Sequence, residues 1–179
     1  MLYHGTSLKH ALRIIEEGFK VTDHENWIVS DQGIYFWSTE AMIEVGEIDE
    51  DDEDPRYTML DRAYDSATCA LAHCDSGHAV VFEIDDSKIA TENDCSCENM
   101  EGAVVTFEDV PSSAIRSIHV SPNLSMVRAC FIQSMLQMDL ANQQFTDTEK
   151  RIAALFSDFY FEQSEFELEE TTPEHLFTL

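Results

Sequence analysis

The run Ala79-Val80-Val81-Phe82-Glu83-Ile84 is short, rich in β-branched and aromatic side chains, and preceded by the turn signal Asp75-Ser76-Gly77, so it reads as a strand. The elements around it come in a definite order. MLYHGTS is a short strand, and SLKHALRIIEEGF places Leu8, Ala11, Leu12 and Ile15 at helical spacing until Gly18 stops it. Gly33-Ile34-Tyr35-Phe36-Trp37 resumes with β-favouring residues. Tyr57 to Cys74 supports a second helix through Leu60, Ala63, Tyr64, Ala67 and Leu71, and residues 103–107 and 115–120 supply two more strands around the turn at Pro111. Strand, helix, strand, helix and then several strands predicts an α+β domain over residues 1–121, not a doubly wound parallel sheet.

After Ser121-Pro122 the character changes. Met126, Val127, Cys130, Met135 and Met138 suit one helix, and Ile152, Ala153, Leu155, Phe156 and Phe159 another, so residues 122–179 read as a helical and acidic C-terminal extension. Its last stretch, from Glu162, is acidic but keeps Phe166, Leu168, Leu176 and Phe177, and is expected to dock only weakly. Residues 44–54, EVGEIDEDDED, carry many like charges with little to bury and predict an exposed loop.

The chain has 36 acidic against 10 basic residues, a formal charge of −26. Such a surface repels phosphate backbones, which counts against direct binding of nucleic acid. Apolar residues are spread along the chain, so the acidity does not signal disorder. It suits a high-salt cytosol, a surface kept soluble, or a basic partner protein. The five cysteines form an odd set, the N-terminus has no basic segment followed by an apolar run, and no apolar run approaches the roughly 20 residues of a membrane span. A cytoplasmic setting with reduced thiols and no membrane contact is the expectation. Cys69 and His73, four apart on a helix, and Cys95-Ser96-Cys97 match no familiar zinc spacing, so buried thiols are expected and no metal.

His4 lies near the end of an apolar strand and is followed by Gly5, which would let a ligand approach the backbone, and by the short donors Thr6 and Ser7. This company looks like a pocket wall. Tyr35 taken alone reads as a core aromatic on a strand. LYHGTS, a helix ending in EEGF, and GIYF together resemble the poly- and mono-ADP-ribosyltransferases of the His-Tyr-Glu class, in both order and spacing. The motifs cover residues 2–7, 11–19 and 33–36, with weaker strand-pattern similarity from 79 to 120. Residues 122–179 have no counterpart.

The resemblance implies two small antiparallel sheets split to form an NAD cleft. It implies that His4 holds the nicotinamide ribose, that the Gly5 backbone receives the carboxamide, and that Tyr35 stacks on the nicotinamide ring. The third member would be a carboxylate that orients the 2′-hydroxyl and stabilises positive charge as the N-glycosidic bond opens. Glu101, at a strand start, is preferred to Glu108 at that strand's far end. Thr6 and Ser38 join the NAD contacts, while a second stacking tyrosine has no clear position, since Tyr64 sits on the apolar face of its helix. Lys9 and Arg13 could face a pyrophosphate or water. The implied activity is mono-ADP-ribosyl transfer from NAD to a protein acceptor, for which a basic protein would suit the acidic surface. An NAD glycohydrolase and a catalytically silent acidic inhibitor with a nucleic-acid-mimic surface are the alternatives.

Overall fold

The computed structural model describes residues 1–21, 33–49, 51–52, 54–72, 77–93, 102–122 and 168–179. The helices expected between 122 and 160 and the cysteines Cys74, Cys95, Cys97 and Cys130 lie outside these residues. The elements are β1 (Leu2–Ser7), α1 (Leu8–Glu17), β2 (Ile34–Ser38), α2 (Thr39–Glu44), α3 (Pro55–Ala72), β3 (Ala79–Ile84), β4 (Glu92–Asn93), β5 (Ala103–Thr106), β6 (Ile115–Val120), β7 (Glu169–Thr171) and α4 (Pro173–Leu176). Among the described residues no helix is long and apolar enough to cross a membrane.

All seven strands among the described residues belong to one sheet in the order β4-β5-β2-β1-β3-β6-β7, with every neighbouring pair antiparallel. The α+β class stands, but the expected pair of separate sheets is corrected to one. The join is thin. β1 pairs with β3 along Leu2 to Ser7, and β2 pairs with β5 along Ile34 to Trp37, whereas β1 and β2 meet only at Leu2↔Ser38 and Tyr3↔Trp37.

Alternation along the strands sends side chains to two cores. Leu2, Phe36, Val80, Phe82, Ile84, Val104 and Ile118 pack with Leu8, Ala11 and Phe19 on the α1 side. Tyr3, Ala79 and Val81 pack with Met59, Ala63, Tyr64, Ala67 and Leu71 on the α3 side. β3 is therefore covered on both faces, which explains its nearly unbroken apolar run. Each large side chain buried this way stabilises the fold by about 2 kcal/mol.

Gly18 ends α1 at a φ of 76°, a backbone conformation that favours glycine, and donates to the Ile14 carbonyl. Ser38 ends β2 and begins α2 by accepting from the Ala41 N–H at 3.3 Å. The loop from Glu44 is exposed as expected, with one anchor. Ile48 is buried in the α3-side core, and the N–H groups of Glu47 and Ile48 both donate to the Met42 carbonyl. The C-terminal residues, expected to dock only weakly, instead add β7 to the sheet edge and place Leu176 in the α1-side core. Burial of one leucine and a strand ladder outweigh the local acidity.

Gly5 has a different use from the one its sequence context suggests. A Cβ there would lie 1.7 Å from the Ala63 carbonyl oxygen and 2.8 Å from the Ala67 nitrogen. The missing side chain makes room for α3, which seats its backbone on β1, and not for a ligand over the strand face. Backbone cannot move aside as a rotamer would, so Gly5→Ala is expected to cost about 3 kcal/mol or to prevent folding. Chemical denaturation monitored by circular dichroism reads this directly, and an unchanged midpoint would contradict the packing.

Candidate functional site

The site is built at the point where β1 and β2 part. In an antiparallel strand the N–H and C=O of one residue face the same neighbour, and successive residues alternate. The Met1 carbonyl accepts from Thr39 N–H at 3.2 Å on the β2 side, whereas Leu8 N–H donates to the His78 carbonyl at 3.0 Å on the β3 side. Odd residues of β1 therefore aim their peptide groups at β2. Tyr3 is paired there, and Gly5 would be the next, opposite Tyr35, but the ladder has already ended.

His4 accounts for the ending. Its Nδ1 lies 2.9 Å from the Tyr35 carbonyl oxygen, the acceptor that Gly5 N–H would meet if the ladder continued. A carbonyl only accepts, so Nδ1 carries the proton and Nε2 of the neutral ring keeps a lone pair. Phe19 and Phe36 stand edge-on to the imidazole at centroid distances of 5.1 and 5.7 Å, and Phe19 also meets Phe82 at 5.8 Å. Burial lowers the His4 pKa from its ordinary value, the bond to the Tyr35 carbonyl opposes this, and His10 adds to the lowering. The ring is neutral at pH 7 and offers an acceptor. Gly5 offers a peptide donor and acceptor in the plane of the sheet.

The sequence-derived candidates fall around this slot unequally. His4 and Tyr35 are joined by the hydrogen bond, yet alternation sends the His4 ring to the α1 side and the Tyr35 ring to the α3 side, where Trp37 Nε1 donates to Ser66 Oγ at 2.9 Å. A molecule touching both must enter the gap between the strands. Thr6 and Ser7 are buried, Ser7 Oγ lies 3.0 Å from His10 Nδ1, and Ser38 is buried with its hydroxyl engaged as the cap of α2. Tyr64 is in the core. Glu101 lies outside the described residues; its neighbour Gly102 accepts from Ser38 N–H at 3.1 Å. Glu108 is exposed, and its N–H donates to Thr106 Oγ1 at 3.4 Å, at the end of β5 nearest the parting strands. Among the described residues no group of three or more His, Cys, Asp or Glu could hold a metal.

Sequence reasoning missed a second polar assembly. Glu83 is buried on the α3 side of β3, accepts from Arg56 Nε at 3.1 Å and Nη2 at 2.6 Å, and lies 2.6 Å from His119 Nε2. Arg56 also stands 3.9 Å from Glu170 of β7. Burial alone would raise the Glu83 carboxyl, but the hydrogen bonds from His119 and Arg56 and their charges hold it down at about 2. Burial, helped by the nearby Glu83 charge, pushes the Tyr3 hydroxyl up to about 12. The signal was present in AVVFEI, because one charge in a run covered on both faces must find partners.

No family model, curated protein or solved structure matches the chain.

Two measurements check the electrostatics. The Glu83 carboxyl is lower in the folded chain than its ordinary 4.5, so its contribution is complete above that pH and is lost as pH falls toward about 2. The stability difference between wild type and Glu83→Gln, read by denaturant titration, is expected to be constant above pH 4.5 and to shrink below it. The His4 pKa is lowered too, which for a base favours the neutral ring, so the ¹⁵N shifts of His4 should titrate with a midpoint below the ordinary 6.5. A midpoint above 6.5 would contradict the desolvation of the ring.

Proposed function

We propose that this protein binds NAD and transfers its ADP-ribose to a protein acceptor. The observation that carries the reading is the interrupted ladder at Gly5, flanked by a neutral imidazole whose Nε2 has no hydrogen-bond partner among the described residues and by Tyr35. A primary carboxamide has one acceptor and a pair of donors, which complement the N–H and C=O that Gly5 directs into the gap. The motif resemblance points to the same three positions. The reading uses a slot within one sheet and does not need two separate sheets.

On this reading His4 Nε2 accepts from a hydroxyl of the nicotinamide ribose, and the Tyr35 ring supplies an apolar face for the pyridine. NAD itself contributes an activated N-glycosidic bond whose cleavage develops positive charge at the anomeric carbon. Glu101, with Glu108 as the other candidate, orients the 2′-hydroxyl and stabilises that charge. Orientation matters more here than a strong base, which fits a neutral histidine. Thr6 and Ser38, both buried, act through the backbone they fix, Thr6 beside Gly5 and Ser38 between β2 and α2. A protein acceptor fits the acidic surface better than a nucleic acid does. The glycohydrolase breaks the same bond with water as acceptor.

Incubation of the purified chain with labelled NAD, with and without native lysate, separates the possibilities. Label on protein supports transfer, free ADP-ribose without labelled protein supports hydrolysis, and bound but intact NAD supports a silent binder. His4→Ala and Tyr35→Ala are each expected to weaken NAD binding about tenfold, through one lost hydrogen bond or one lost ring contact. Glu101→Gln keeps shape and removes charge, so turnover should fall by about a hundredfold or more with little change in affinity. Full activity in both Glu101→Gln and Glu108→Gln would remove the basis for the transferase reading.

A further inference from the structure

We propose that the slot holds its ligand against the protein's own electric field, so that NAD binding strengthens as ionic strength rises. The inference rests on the NAD reading above and adds the control of that site by salt. Sites for nucleotides ordinarily neutralise phosphate with lysine and arginine, and lose affinity when salt screens the attraction. This chain has the opposite balance, a formal charge of −26.

The described cations do little to offset that charge near the slot. Lys20 pairs with Asp109 at 3.0 Å, Arg56 with Glu83 at 2.6 Å, Arg62 with Glu47 at 2.9 Å, and Arg116 with Asp85. Four basic side chains are thus already matched to acids of the same fold. Around the slot itself stand Phe19, Phe36 and a His4 ring that burial keeps neutral. The strand next to β2 runs out at this end into the exposed Glu108 and into Asp109, which Lys20 already engages. Lys9 and Arg13 on α1 are the described cations closest in sequence to the slot. Two positive charges against the field of the whole chain leave a diphosphate in a negative potential.

Screening shortens the reach of that potential from about 14 Å at 0.05 M salt to about 3 Å at 1 M. Short-range contacts to Gly5, His4 and Tyr35 survive this change, while the long-range repulsion does not. The size of the effect follows ligand charge. Nicotinamide is neutral, NAD carries one net negative charge because its pyridinium offsets one phosphate, and ADP-ribose carries two.

The test is calorimetric titration of the full chain with nicotinamide, NAD and ADP-ribose between 0.05 and 1 M KCl. The expected result is a nicotinamide Kd that does not change, an NAD Kd that falls about threefold or more, and an ADP-ribose Kd whose logarithm shifts about twice as far. Nicotinamide serves as the control for any tightening of the fold by salt. Lys9→Glu, at an exposed position on α1, should steepen the NAD dependence, and Lys88→Glu, beyond the far end of β3, should change it less. NAD and ADP-ribose affinities that weaken with salt, while nicotinamide binds unchanged, would overturn the inference and leave the NAD reading intact. Failure of all three ligands to bind at any salt concentration would overturn both.

Discussion

The Ala63 carbonyl oxygen stands where a side chain on Gly5 would begin, so α3 meets β1 backbone to backbone. That contact decides how the rest of the sheet is used. It closes the α3 side of β1 at Gly5, while the aromatic group of Phe19, Phe36 and Phe82 closes the α1 side around His4. With these described residues covering both faces, the Gly5 peptide faces edgewise toward β2. An ordinary strand residue would push α3 away and open a different and wider site.

The same helix is tied down electrostatically near its start. Arg56 reaches from the first turn of α3 to Glu83 on β3, and His119 on β6 approaches the same carboxylate. Removing one partner would leave a buried charge uncompensated, which costs more than the pair contributes over an apolar substitute. The cluster therefore fixes which elements lie side by side: α3, β3, β6 and, through Glu170, the edge strand β7.

The strands and long helices were legible because periodicity and composition agreed. β3 was plain from its apolar run, α1 from its spacing and its terminal Gly18, and Tyr64 as a core residue from its place on the α3 stripe. β4 and β7 were missed because they are two- and three-residue pairings built largely of glutamate and asparagine, whose place is set by neighbouring strands and not by local preference. Gly5 was read as giving a ligand room to approach the backbone, and the sequence does not say that a helix takes that space instead. His4 and Tyr35 were legible as partners only through their motif. The hydrogen bond between them uses the Tyr35 main chain, and no residue type at position 35 records that.

What holds the slot open is a competition between two ways of satisfying the same carbonyl. Continuing the ladder would give Gly5 and Tyr35 an exchange of backbone hydrogen bonds; the imidazole takes the Tyr35 acceptor, and on the β2 side the Gly5 groups have no partner among the described residues. In net terms such bonds differ by only about 1 kcal/mol each, so edge-on packing of the His4 ring against two phenylalanines suffices to tip the balance. The consequence is a seam: β4, β5 and β2 on one side join β1, β3, β6 and β7 on the other through two register positions. Trp37 bonded to Ser66 and the Phe19–Phe36 contact bridge that seam on opposite faces, keeping the two halves in register while the strands between them separate. A ligand whose own donors and acceptor complete the Gly5 pairing would bind both halves at once, and the weakest joint of the sheet would become its best-satisfied one.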